Sequence, residues 1–178
     1  MRGITWTLAL TFLCGCGVAQ TTAGQPAANT ISNPVVLRCT TAGNASPSWP
    51  QPDAASGTPA IVAAVVSGDT LKLTLAAGTP EYQVIPQASA QFVADASGQP
   101  VQLPGKAGVQ IILRGFRGDL SNYGGQTDLT SSGPLLLQAS KIGDFEGVVS
   151  FVAGTSAPAC ANVAADESSL TFRFIAAP

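Results

Sequence analysis

Ala60-Ile61-Val62-Ala63-Ala64-Val65-Val66, then Ser67-Gly68-Asp69, then Thr70-Leu71-Lys72-Leu73-Thr74-Leu75: two apolar-rich runs flank three turn-forming residues. In the second run Leu71, Leu73 and Leu75 alternate with Thr70, Lys72 and Thr74. A period of two places the leucines on one face and the polar residues on the other, which is a half-buried strand. Gly and Asp between two such runs favour a tight turn, so residues 60–75 read as a β-hairpin.

The same signal recurs downstream. Tyr82–Pro86, Gln91–Val93, Val109–Leu113, Leu135–Ala139 and Gly147–Val152 read as short strands separated by Gly, Pro and Asp. The last, Leu170–Ile175, alternates clearly, with Leu170, Phe172 and Phe174 opposed to Thr171 and Arg173. Residues 114–133 show no apolar period and read as a loop. The expected class is all-β: a β-sandwich or open barrel of about seven to eight mostly antiparallel strands. The 19 Gly and 13 Pro of the 178-residue chain point the same way, because both interrupt long helices.

Composition narrows the partners. Only 10% of residues are charged, the formal net charge is −2, and no basic run occurs. Nucleic acid is therefore not an expected partner, since phosphate binding requires clustered Lys or Arg. Electrostatic attachment to a membrane is excluded on the same ground.

The N-terminus reads as an export signal. Arg2 precedes the apolar segment Ile4–Leu13, which is too short to span a bilayer. Leu13-Cys14-Gly15 before Cys16 has the form of a lipobox, giving a signal over 1–15 and a lipid on Cys16. Gly17-Val18-Ala19 instead suits cleavage after Ala19, which releases a secreted, soluble protein. The lipobox is preferred because small residues at −3 and −1 arise easily in Ala/Gly-rich sequence. Membrane attachment is then by the lipid anchor only. Residues 16–33 are small and polar and read as a flexible tether. Residues 34–59 form a Pro-rich N-terminal extension that includes Pro47, Pro50, Pro52 and Pro59. The remaining 60–178 is the β domain.

Of four cysteines, Cys39 and Cys160 remain after processing and lipidation, and an even pair in an exported domain is most simply a disulfide. Closing so long a loop is worth roughly 4–5 kcal/mol in the chain-entropy account. No metal site or cofactor is expected: the chain lacks histidine, and two thiols do not complete a tetrahedral zinc site.

Catalytic motifs are mostly absent. Without histidine there is no Ser-His or Cys-His couple, and neither a G-x-S-x-G elbow nor a phosphate-binding glycine loop occurs. No catalytic residue is assigned and the expected protein is not an enzyme. The best carboxylate pair is Asp144-Phe145-Glu146. If extended, Asp144 and Glu146 face the same way, as hydrolysis of a glycoside or calcium binding needs. The simpler reading makes them a solvated strand end with Phe145 in the core. Arg117-Gly118-Asp119 is an integrin-type tripeptide in a polar loop, and Tyr123 with Arg114 and Arg117 is suited to stacking a sugar and holding an acidic group.

Three segments, in order, carry a resemblance. Gly78-Thr79-Pro80-Glu81-Tyr82-Gln83-Val84, Asp95–Leu103 with Gly105, and Ile142-Gly143-Asp144-Phe145-Glu146-Gly147-Val148-Val149 resemble the G-x-P-x-Y-x-V, D-G-S-G-x-P-V-x-L-x-G and G-D-F-E-G-V segments of the AMIN-like domain of bacterial envelope proteins. The likeness covers about residues 60–178 and ends on Leu170–Phe174. It implies a β-sandwich, no transferable catalytic residue, and a cell-envelope module that binds peptidoglycan, another envelope glycan or an envelope protein. Candidate ligand contacts at the surface are Tyr82, Arg114, Arg117, Tyr123 and Glu146. A structural role in an envelope complex, through an exposed sheet edge, is the alternative. The oligomeric state is left open.

Overall fold

Alternation in the sequence becomes the two faces of each strand. The computed structural model describes residues 59–116 and 121–177. Cys16, Cys39, Arg117, the signal, the tether and all of the N-terminal extension except Pro59 lie outside the described residues.

Eleven strands are found among them: β1 (Ile61–Ser67), β2 (Thr70–Leu75), β3 (Glu81–Gln87), β4 (Gln91–Val93), β5 (Pro100–Gln102), β6 (Ala107–Arg114), β7 (Asp128–Thr130), β8 (Leu136–Phe145), β9 (Val148–Thr155), β10 (Ala159–Asp166) and β11 (Ser169–Ala176). A four-stranded sheet has the order β1-β2-β11-β10, a five-stranded sheet the order β3-β6-β9-β8-β7, and β4-β5 form a small hairpin. All pairings are antiparallel and no sheet closes on itself, so the arrangement is the sandwich rather than the open barrel.

The inner faces meet in one core. Leu71, Leu73 and Leu75 of β2 and Leu170, Phe172 and Phe174 of β11 pack against Val109, Ile111 and Leu113 of β6 and Val149, Phe151 and Ala153 of β9. Each large side chain so buried contributes roughly 1.5–3 kcal/mol.

The expected strand number falls short by three elements. β5 (PVQ) and β7 (DLT) are three residues long and carry one large apolar residue each, whereas β4, of the same length, carries Phe92 and Val93. β10 is the sequence ACANVAAD, in which alanines replace the large apolar residues that mark a strand. It pairs with β11 through its whole length, so tertiary pairing rather than local pattern creates it. Cys160 lies on β10, buried at 3% exposure, and is engaged rather than free.

The five-stranded sheet is also covered on part of its outer face. The β4–β5 hairpin lays Phe92 and Leu103 on Val152, with Ala90 completing a second, smaller core. Three glycines make room. A Cβ on Gly108 would meet the Phe92 ring at 2.5 Å, one on Gly154 would overlap the Pro104 carbonyl oxygen, and one on Gly143 the Asp95 carboxylate.

A second tie joins the sheets. Gly68, with φ 53°, and Asp69 form the two-residue β1–β2 turn between the paired Ser67 and Thr70. The Asp69 carboxylate accepts hydrogen bonds from the Leu135 and Leu136 N–H groups, both at 2.8 Å, and Ser131 Oγ donates to the Gly68 carbonyl at 2.6 Å. The hairpin read from the sequence thus latches the four-stranded sheet to the start of β8.

Candidate functional site

The β8–β9 hairpin carries the carboxylate pair. Phe145 pairs with Val148, leaving Glu146 and Gly147 as a two-residue loop with φ of 51° and 75°. Two positive φ values define a type I′ turn, whose twist matches that of the flanking strands. The bend directs Asp144 and Glu146 differently, because extension stops at Phe145.

Asp144 turns toward the rim of the sandwich. A register shift between Lys141 and Gly143 brings residues 141 and 144 onto one face. The Lys141 ammonium ion-pairs with Asp144 Oδ2 at 3.0 Å. Ser121 donates its N–H to Oδ1 and its hydroxyl to Oδ2, both at 2.7 Å. Tyr123 N–H then donates to Ser121 Oγ, and the Tyr123 hydroxyl donates to the Gln126 carbonyl at 2.6 Å. Lys141 Nζ lies 5.2 Å from the centre of the Tyr123 ring, a cation–π contact. This network clamps residues 121–126 against β8. Asp144 is fully occupied within it.

Two expectations about the rings are corrected. Tyr82 and Tyr123 are not at the surface; they are 6% and 7% exposed. Tyr82 follows the β3 alternation with Val84 into the core, where its ring meets Phe172 edge-on, the centroids being 6.2 Å apart. Tyr123 packs edge-on against Phe151, 6.0 Å between centroids. Burial raises the pKa of both phenols above 10.0. Phe145, assigned to the core by the simpler reading, is instead 50% exposed, because the face it shares with Val148 points away from the other sheet.

Arg114 and Glu146 are exposed. Glu146 stands at the turn. Arg114 belongs to a row that crosses four strands: Glu81 pairs with Arg114, Arg114 with Val148, and Val148 with Phe145. Directly paired residues share a face, and the next row inward is Tyr82, Leu113 and Val149, all core. Glu81, Arg114, Val148 and Phe145 therefore project from the outer face of the five-stranded sheet. Glu81 and Arg114 are each engaged in an interaction. Sequence reasoning missed this row because it links residues 81, 114, 145 and 148 only through register.

The fold and the site define a small β-sandwich module whose carboxylates clamp loops and whose outer face carries the remaining exposed groups. A family model described as AMIN-like domain matches residues 69–169, more than half of the chain, and the chain belongs to the AMIN-like family. That family is associated with the bacterial cell envelope, which places the chain in the class of envelope modules. No curated protein and no solved structure matches it.

Proposed function

We propose that the chain is a non-catalytic, lipid-anchored envelope module that binds peptidoglycan or another envelope glycan. Cys16 carries the lipid, residues 16–33 act as the tether, and Cys39 forms a disulfide with Cys160. Burial and engagement of Cys160 support the last point. The observation that carries the binding function is Phe145. It is an aromatic ring left half exposed within the family-matched segment, in register with Arg114. Aromatic faces stack on the C–H faces of sugars, and a module with so little charge has few other means of holding a neutral polymer.

Co-sedimentation of the oxidised full chain with purified peptidoglycan sacculi, across a salt series, tests this reading. The expected result is salt-resistant pelleting that falls at least fivefold in Phe145→Ala. Pelleting no greater than that of a control protein sinks it.

A second reading, docking of an envelope protein by strand addition, is favoured at one edge. β10 is an eight-residue edge strand with no proline and no register shift, whereas β3 contains Pro86 and β1 is shifted between Ile61 and Ala63. Edges without such devices accept a further strand. Loss of an envelope crosslink in Ala164→Pro, with sacculus binding absent, marks this reading as the correct one.

A further inference from the structure

We infer that the ligand-holding surface extends from Phe145 and Arg114 onto the outer face of β3 and β6, and that its occupant is the uncharged sugar backbone of a polysaccharide. The inference rests on the glycan reading above and specifies where, and which part of the polymer, is held. On β3, Gln83, Ile85 and Gln87 face away from the core residues Tyr82 and Val84; on β6, Gln110 and Ile112 face away from Val109, Ile111 and Leu113. Register pairs Gln83 with Ile112 and Ile85 with Gln110. Amides and isoleucines thus alternate both along and across the strands, as a checkerboard.

All five residues are partly exposed, because the β4–β5 hairpin covers the β8–β9 side of this face and stops at Gly108, where Phe92 lies. None of the three glutamine side chains hydrogen-bonds another described residue, and none is a buried orphan, so each amide is turned to solvent. Each offers two donors and an acceptor, the complement of a hydroxyl-rich chain, while the isoleucines suit the apolar faces of the rings. From Gln83 to Gln87 the amides span about 13 Å along the strand.

Two features select the occupant. The checkerboard itself carries no charge, and at its end Glu81 and Arg114 pair across the ladder, so the face as a whole has no net charge with which to attract an ionised peptide. Pro86 lies on the outermost strand and removes a backbone donor from that edge. Strand addition by a polypeptide at β3 is thereby disfavoured, and the recognition falls to side chains.

The test uses the full chain in mild detergent with two probes: intact sacculi, and glycan strands freed of stem peptides by amidase digestion. The wild-type chain should bind both. The double variant Gln83→Ala/Gln110→Ala should lose at least tenfold in affinity for both with an unchanged melting midpoint, while Gln91→Ala on β4 binds as wild type. Wild-type binding to sacculi but not to peptide-free strands overturns the inference in favour of the stem peptide. Undiminished binding by the double variant overturns the assigned surface and leaves the glycan reading standing. Failure of the wild type on sacculi overturns both.

Discussion

Glu146 and Gly147 both hold left-handed backbone, and only one of them does so without cost. An L side chain at positive φ carries a penalty of about 1 kcal/mol that glycine escapes. Glu146→Gly should therefore raise stability in urea by roughly 0.5–1 kcal/mol. Gly147→Ala should do the opposite by about 1–3 kcal/mol, since its Cβ would also stand 2.6 Å from the Phe116 carbonyl oxygen. Equal and small effects at the two positions would contradict the type I′ assignment. Asp144 gives the complementary case. Asp144→Ala strands a partly buried Lys141 and frees both Ser121 donors, an expected loss of about 2–4 kcal/mol, whereas Glu146→Gln should leave the unfolding curve where it is.

At the scale of elements, the outer hairpin is held by what the sheet beneath it lacks. Gly154→Ala drives a methyl group into the Pro104 carbonyl, which is backbone and cannot step aside, whereas Gly143→Ala meets the side chain of the exposed Asp95, whose carboxylate can rotate toward solvent. Proteolysis within residues 90–103 should accelerate at least tenfold in the first variant and change little in the second. Similar cleavage rates in both would show that the glycines do not seat the hairpin.

These elements also mark how far the sequence could be read. The β1–β2 hairpin, the leucine face of β2 and the Phe172/Phe174 face of β11 were all legible, because alternation of large and polar residues is a local property. β10 was not legible, because its identity as a strand resides in β11. The candidate site failed differently. Tyr82 alternates with Val84, an inward signal, yet a tyrosine after a Gly-Thr-Pro turn also suits a displayed ring. Phe145, the aromatic ring left exposed among the described residues, carries no outward signal, because phenylalanine is ordinarily buried. The Lys141/Gly143 shift and the turn at Glu146, which together decide where residues 144–146 point, have no signature in composition.

For the molecule as a whole, pH acts at both ends of the scale. Ser169 and then Ser168 hydrogen-bond the Asp166 carboxylate and hold it below its ordinary 3.8. A depressed folded pKa contributes stability that is present above 3.8 and lost as pH falls through the folded value. Asp166→Asn should accordingly flatten the acid limb of a thermal melting series. Tyr82 and Tyr123 act in the other direction: their raised values contribute stability that is complete below pH 10.0 and lost as pH rises through the folded values. Tyr82→Phe should carry the alkaline limb to higher pH, and an unmoved limb would deny the ring its burial.

The sheet covered on both sides has a consequence in time. β6 and β9 lie at the centre of the five-stranded sheet, under the other sheet on one face and partly under the hairpin on the other. Both strands are hydrogen-bonded to a neighbour on each side, so water reaches their amides only when the sheet itself opens. In deuterium exchange these two strands should keep their protons longest and set the slowest clock in the protein, while β7, three residues long at a sheet edge, should equilibrate early. The envelope module would then be a slow-breathing plank, in which β6 belongs both to the ligand-facing surface and to the most persistent backbone.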